Sequence, residues 1–292
     1  MHNQRSVAVI SACWAKLRGD LQAHVSRHMT ISNHYGPHVV AFVDILGFAQ
    51  LVERMDHNPP LIDEIYTVLS RVGEEDVSWS FGAYTKEDSG SAKLTVASDS
   101  ILFSISIREW CAGGRTQAWA CLAAVESVFG LQRYLLKRGI LTRGGIVLGS
   151  LLHHGNVIFG PGLVHAYRLE SQLALYPRVI VDSAVIEQIK GTAGFQFPFR
   201  LEALITRDTD GLPFIDYLHY DAMGMEDGEL LTELFRDIRQ HVQAALLAGR
   251  GDPRVFQKVA WLASYFNRSL SRWLEMPHYR SVFDQITPID IA

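Results

Sequence analysis

Residues 42–48 read FVDILGF, an apolar run broken by an aspartate, with Gly47-Phe48 following closely. The wider stretch HVVAFVDILGF, residues 38–48, is apolar enough for a buried central strand, and Asp44 falls near its end. A carboxylate there has two ordinary uses. It can cap the helix that follows, or it can hold something charged.

Outward from this strand, residues 47–56 look like a helix start, and 60–72 (PLIDEIYTVLSRV) read as a second helix with Pro60 in its first turn. Residues 77–83 have strand character. KLTVASDSILFSI, residues 93–105, places two strand-like runs around Ser98-Asp99-Ser100, which predicts a hairpin. A helix over 116–138 has Leu122, Val125, Phe129 and Leu136 on one face and Gly139 as its stop.

RGGIVLGSLLHHGNVIFG, residues 143–160, predicts another strand pair, and FGPGLVHAYRLESQLA, 159–174, a helix. A strand at 177–182, a helix at 183–190 and two strands within 197–220 follow. The pattern from 226 to 273 is helical, with a break at AGRGDP. Strands in hairpins alternating with long helices predict an α+β fold, one sheet covered by helices. The expected organisation is an N-terminal extension (1–37), a main domain (38–220) and a helical C-terminal extension (221–292).

Asp99, in ASDSILF, is the second aspartate at a strand end. If the first strand lies beside the hairpin, Asp44 and Asp99 converge. Neighbouring carboxylates repel unless a proton or cation lies between them. Magnesium or manganese suits such a pair, taking one or two carboxylates and leaving positions for phosphate. Two such ions about 4 Å apart can clamp the attacking and leaving oxygens of a phosphoryl displacement. The backbone N–H groups of Leu46, Gly47 and Phe48 would open the next helix as a phosphate cradle.

Four segments, in order, resemble the class III nucleotidyl cyclases. FVDILGF is similar to their first metal motif, ASDSILF to the second, RGGIVLG to their Arg-x-Gly-Ile strand, and FGPGLVHAYRLES to their arginine-bearing helix. The resemblance spans roughly residues 38–220 and implies a ferredoxin-like catalytic domain. It implies that Asp44, Asp99 and the Ile45 carbonyl hold two divalent ions, Mn²⁺ or Mg²⁺, and that Arg168 stabilises the transition state. The implied reaction joins a ribose 3′-hydroxyl to the α-phosphate, releasing pyrophosphate. The implied assembly is a homodimer with its active sites at the interface.

The departures from that pattern concern the base. A lysine common in purine cyclases is replaced by Thr95, a polar position by Val157 beside Asn156, and a helix asparagine by Val164. Thr95, Asn156 and Val157 are therefore the candidate base-binding residues. This combination resembles the pyrimidine cyclases of bacterial Pycsar anti-phage systems. Their resemblance implies UTP, or alternatively CTP, as substrate, and a cyclic nucleotide messenger read by a separate cyclic-nucleotide-binding effector. The alternatives are a purine cyclase with an unusual pocket and an inactive cyclase-homology module that regulates a partner.

Composition narrows the classes. With 292 residues, 48% hydrophobic, 20% charged and a net charge of −4, the chain gives no sign of binding nucleic acid or a membrane surface. Three cysteines without ligand spacing fit a reducing cytoplasm. Adjacent His153 and His154 would face opposite sides of a strand. Asp208-Thr209-Asp210-Gly211 reads as a turn rather than a calcium loop, and Trp261, Tyr265 and Phe266 as packing residues. Asn267-Arg268-Ser269 matches a glycosylation acceptor that has no role in the cytosol. Arg200 and Arg207 are weak candidates to hold leaving phosphates.

Overall fold

Strand β1 (Tyr35–Ile45) lies between β3 (Ser100–Ser106) and β4 (Thr142–His154), antiparallel to both. That central place explains its apolar run, because both faces need covering. Val39, Ala41 and Val43 are fully or almost fully buried on one face, while Val40, Phe42 and Asp44 take the other. The computed structural model describes residues 34–55, 57–74, 92–190, 204–218 and 228–291. The expected strand at 77–83 and nearly all of the N-terminal extension lie outside them.

From β1 the chain runs through α1 (Phe48–Met55) and α2 (Pro59–Glu74) to β2 (Ala92–Ala97) and β3. Next come α3 (Ile107–Ala112), α4 (Gln117–Leu136), β4, β5 (Val157–Phe159) and α5 (Pro161–Arg168), which passes into a π-helical turn, Leu169–Leu173. Then follow β6 (Val179–Val181), α6 (Ser183–Lys190), β7 (Ile205–Arg207), β8 (Pro213–Ile215), α7 (Gly228–Gly249), α8 (Pro253–Glu275) and α9 (Pro277–Phe283).

The sheet order is β2-β3-β1-β4-β6-β8-β7, with β5 paired to β4. Its first four strands are antiparallel and laid out as β1-α-β2-β3-α-β4 units are in a ferredoxin-like fold. The fold is α+β, as expected, and β6 extends it by pairing parallel to β4. The hairpin turn is one residue tighter than the sequence suggested. Ser100 already pairs with Ala97, leaving Ser98 and Asp99 as the turn.

The two faces of the sheet are covered unequally. One large core joins Val39, Ala41 and Val43 to α2, α4, α6 and the C-terminal helices α7 to α9. A smaller cluster on the other face joins Val40, Leu102, Val147 and Leu151 to Ala166 and Leu169 of α5 and its π turn.

Helix α5 can lie directly on β4 because β4 is glycine-bearing there. A Cβ on Gly145 would come within 2.5 Å of the Leu169 Cβ, and one on Gly149 within 2.6 Å of the Gly162 Cα. The helix therefore approaches as closely as backbone allows, which brings its π turn down toward the end of β1.

The C-terminal helices are bound to the sheet by buried polar seams as well as by the shared core. Arg178, with no exposed surface, pairs with Asp208 and Asp210, and Trp261 of α8 donates to Asp208 at 2.6 Å. Asp216 accepts from Tyr265 at 2.7 Å and from both Nη atoms of Arg272. These contacts explain the Asp208–Gly211 turn, whose carboxylates serve an arginine. The Asn267 side chain is likewise committed, exchanging hydrogen bonds with the backbone of Ile289. Among the described helices none is long and apolar enough to cross a membrane.

Candidate active site

Asp44 is the last polar side chain of β1 on the thinly covered face. Its pairing partners there are Ser100 on one side and Arg143 on the other. The Ile45 N–H donates to the Asp99 carbonyl at 2.9 Å, which ties the β2–β3 turn to the strand end. Ser98 holds a left-handed conformation, φ 58°, that a non-glycine residue adopts at a cost. Strained backbone of this kind collects at functional sites, and here it presents Asp99.

Burial pushes the Asp44 carboxyl above its ordinary range; Arg143 opposes this, and the like charge of Asp99 adds to it. Glu170, from the π turn, shares the neighbourhood. It is 2% exposed, and burial raises it too, with Arg143 opposing and Asp44 and Asp99 adding to the rise. Three carboxylates thus feel one another around a single guanidinium. Arg143 Nε donates to Asp44 Oδ2 at 3.2 Å, and its Nη2 lies 2.6 Å from Glu170 Oε1.

Among the described residues no three His, Cys, Asp or Glu side chains gather tightly enough to cage an ion by themselves. Magnesium and manganese take one or two carboxylates and fill their octahedra with water and phosphate. Asp44 and Asp99 are hard oxygen donors. The residues present fit such an ion. Ile45 could contribute only its carbonyl, because its side chain is buried in the core.

The proposed phosphate cradle is narrower than expected. The Leu46 N–H donates to the Leu141 carbonyl at 2.8 Å, so Leu46 is not available to an anion. Gly47, at φ 76°, and Phe48, which opens α1, remain.

Arg168 is the expected residue that the single chain does not bring to the carboxylates. Ala166, Leu169 and Glu170 form the buried side of α5 and its π turn, whereas Arg168 is exposed with Val164 and Tyr167. Val157 and Phe159 of β5 and Val164 and Tyr167 of α5 are 48–57% exposed.

The candidate base residues gather near the β4–β5 hairpin. Asn156 and Val157 sit exposed at its tip. Thr95 is hydrogen-bonded to Nε2 of His153 at 3.0 Å, while Ser104 holds Nδ1 at 2.8 Å and Lys93 donates to the His153 carbonyl at 2.6 Å. Strand β4 lies three steps from β2 in the sheet, about 14 Å if flat. These contacts therefore require the β1–β4 ribbon to coil over this face. His153 is buried and His154 exposed, as alternation predicts.

Sequence reasoning passed over Arg143, Glu170 and His153. The signal for Arg143 was present: it opens the RGGIVLG strand opposite the end of β1. Of the weak arginines, Arg207 bonds to Gly211 within its own turn, and Arg200 lies outside the described residues.

No protein-family model and no curated protein matches the chain. Two solved structures of a bacterial light-regulated adenylyl cyclase are similar in part. One is 15% identical with a TM-score of 0.37, covering 80% of this chain and 70% of that one. The other is 13% identical with a TM-score of 0.38, covering 80% and 71%.

Proposed function

We propose that the protein is a metal-dependent nucleotidyl cyclase acting on a pyrimidine triphosphate, converting UTP to 3′,5′-cyclic UMP and pyrophosphate, with CTP as the second candidate. The observation that carries the reading is the junction of Asp44 with Asp99 at the end of β1, with Arg143 beside Asp44.

Asp44, Asp99 and the Ile45 carbonyl would hold two Mn²⁺ or Mg²⁺ ions. The chemistry these supply when bound is charge neutralisation on the phosphates and activation of the 3′-hydroxyl. In this reading Arg143 would receive oxygens of the leaving phosphates. The Gly47 and Phe48 N–H groups add the positive end of α1. Arg168 would serve the carboxylates of a second copy, across an interface made by the exposed apolar surface of β5 and α5. Charge on the transferring phosphoryl group is what a pre-positioned arginine stabilises best.

The pyrimidine preference rests on Thr95, Asn156 and Val157, which offer hydroxyl, amide and apolar contacts in place of a lysine and an acid. In this reading the product is a messenger for a separate effector in anti-phage defence. Incubation of the purified protein with Mn²⁺ and each of the four nucleoside triphosphates, with products identified by mass spectrometry, tests it. Cyclic UMP or cyclic CMP is expected. Cyclic AMP or cyclic GMP alone would remove the pyrimidine assignment, and no cyclic product would leave an inactive module.

A further inference from the structure

Glu170 raises a question that folding alone does not answer. It is a nearly fully buried carboxylate whose one ionic partner among the described residues is Arg143. The 2.6 Å contact is ionic, since Oε1 has no aligned hydrogen bond. A buried charge satisfied this poorly is costly, and an apolar side chain would pack there at less expense. The chain nevertheless builds a π-helical turn to present it, a distortion that recurs at functional sites.

What Glu170 changes is the way Arg143 meets Asp44. A guanidinium left alone with a carboxylate favours a bidentate fork that uses both oxygens. Arg143 instead offers Asp44 only Nε, side-on and at 3.2 Å, because Nη2 is drawn to Glu170. Asp44 consequently keeps oxygen lone pairs uncommitted.

We propose that Glu170 is a positioning residue that holds the Arg143 guanidinium away from full engagement with Asp44. Asp44 then stays open to a divalent cation, and Arg143 stays fixed at the site's edge as a receptor for phosphate. The inference rests on the reading of Asp44 as a metal ligand. Without Glu170, Arg143 closes as a fork on Asp44 and competes with the ion for the same oxygens.

The test is Mn²⁺ binding to the nucleotide-free protein, followed by the electron paramagnetic resonance signal of free Mn²⁺. Glu170→Gln is expected to weaken binding about tenfold, in the range found for groups that orient a metal ligand. Glu170→Asp keeps the charge but is one methylene too short to reach Arg143, and it should weaken binding similarly. Adding Arg143→Ala to Glu170→Gln removes the competitor and should return Mn²⁺ affinity to that of the unmodified chain.

Unchanged affinity in Glu170→Gln overturns the proposal. Normal binding by Glu170→Asp also overturns it, since charge alone would then suffice. If the single Glu170 variants fail to fold, the double variant Glu170→Gln/Arg143→Ala decides: Mn²⁺ affinity about tenfold below that of the unmodified protein refutes the competition. Absence of Mn²⁺ binding by the unmodified protein would instead remove the metal-site reading beneath it.

Discussion

Arg143 and Asp44 face each other across the β1–β4 pair, with Arg143 Nε 3.2 Å from Asp44 Oδ2. The pair joins a side chain singled out from sequence to one that was not. Replacing Arg143 with Ala should lower turnover by about 10²–10³-fold, the loss typical when a preorganised charge-stabilising group is removed. Asp44→Ala should abolish turnover. Single-turnover rates with UTP and Mn²⁺ measure both.

Removing Arg143 also has a consequence for stability. It leaves Glu170 buried without its cation, which costs about 3–5 kcal/mol while the carboxylate is ionised. Burial already raises Glu170, so the folded variant takes up a proton more readily than the unfolded chain does. The stability gap between Arg143→Met and the unmodified protein should therefore be widest at pH 8 and shrink toward pH 5. Urea midpoints at the two pH values check this. A gap that widens on acidification would mean that Glu170 is not the cause.

Ser98 provides a test independent of activity. Its left-handed φ of 58° costs a non-glycine residue about 1–2 kcal/mol. Ser98→Gly should relieve this and stabilise the protein by about 0.5–1 kcal/mol, after allowing for the greater freedom of glycine when unfolded. A denaturant midpoint that does not rise would show that the serine side chain compensates for the strain.

Much of the sheet was legible because local pattern and tertiary role agree in it. The apolar stretch around Val39 to Val43 belongs to a central strand, and the turn residues Ser98 and Asp99 form a hairpin tip. What was not legible depended on partners distant in sequence. Arg143 looked like a strand's first residue until register placed it opposite Asp44, 99 positions away. Alternation places His153 and His154 on opposite faces of a strand, but only the coiling of β4 over β3 and β2 brings His153 to Ser104 and Thr95. Leu46 fitted a cradle by position, yet its N–H was taken by Leu141, which no local pattern announces.

The environment of His153 predicts acid sensitivity. Burial, then the charges of Lys93 and His38, hold it down to about 4 from the ordinary 6.5. His38 is itself lowered, chiefly by burial. Below pH 6.5 the unfolded chain takes up a proton that the folded protein refuses. The stabilising contribution of neutral His153 is whole above that pH and is lost as pH falls toward 4. Urea midpoints at pH 7.5 and 4.5 should drop less in His153→Gln than in the unmodified protein. Equal drops would assign the sensitivity elsewhere.

Arg178 tests whether the C-terminal helices share the stability of the sheet. It is fully buried, paired with Asp208 and Asp210, and Asp208 also receives Trp261 from α8. Arg178→Met leaves Asp208 buried without its closest cation and should cost about 3–5 kcal/mol. Because sheet and helices share one core, tryptophan fluorescence and far-ultraviolet circular dichroism should still report a single coincident transition. Two separated transitions would show that residues beyond 220 fold on their own.

The position of Arg168 predicts how two copies share the work. Ala166, Leu169 and Glu170 turn toward β4 and the carboxylates, so an arginine at 168 emerges on the opposite side of the helix. Arg168 thus leaves the helix away from the side that carries Glu170. Arg168→Ala and Asp44→Ala should each abolish cyclisation as pure proteins. Co-expression of the two variants, with different tags and tandem purification, should yield mixed dimers in which one site regains both residues and turns over UTP. Sites built within single chains would give mixed dimers as inactive as their parents. An active pure Arg168→Ala protein would show that cyclisation does not depend on Arg168.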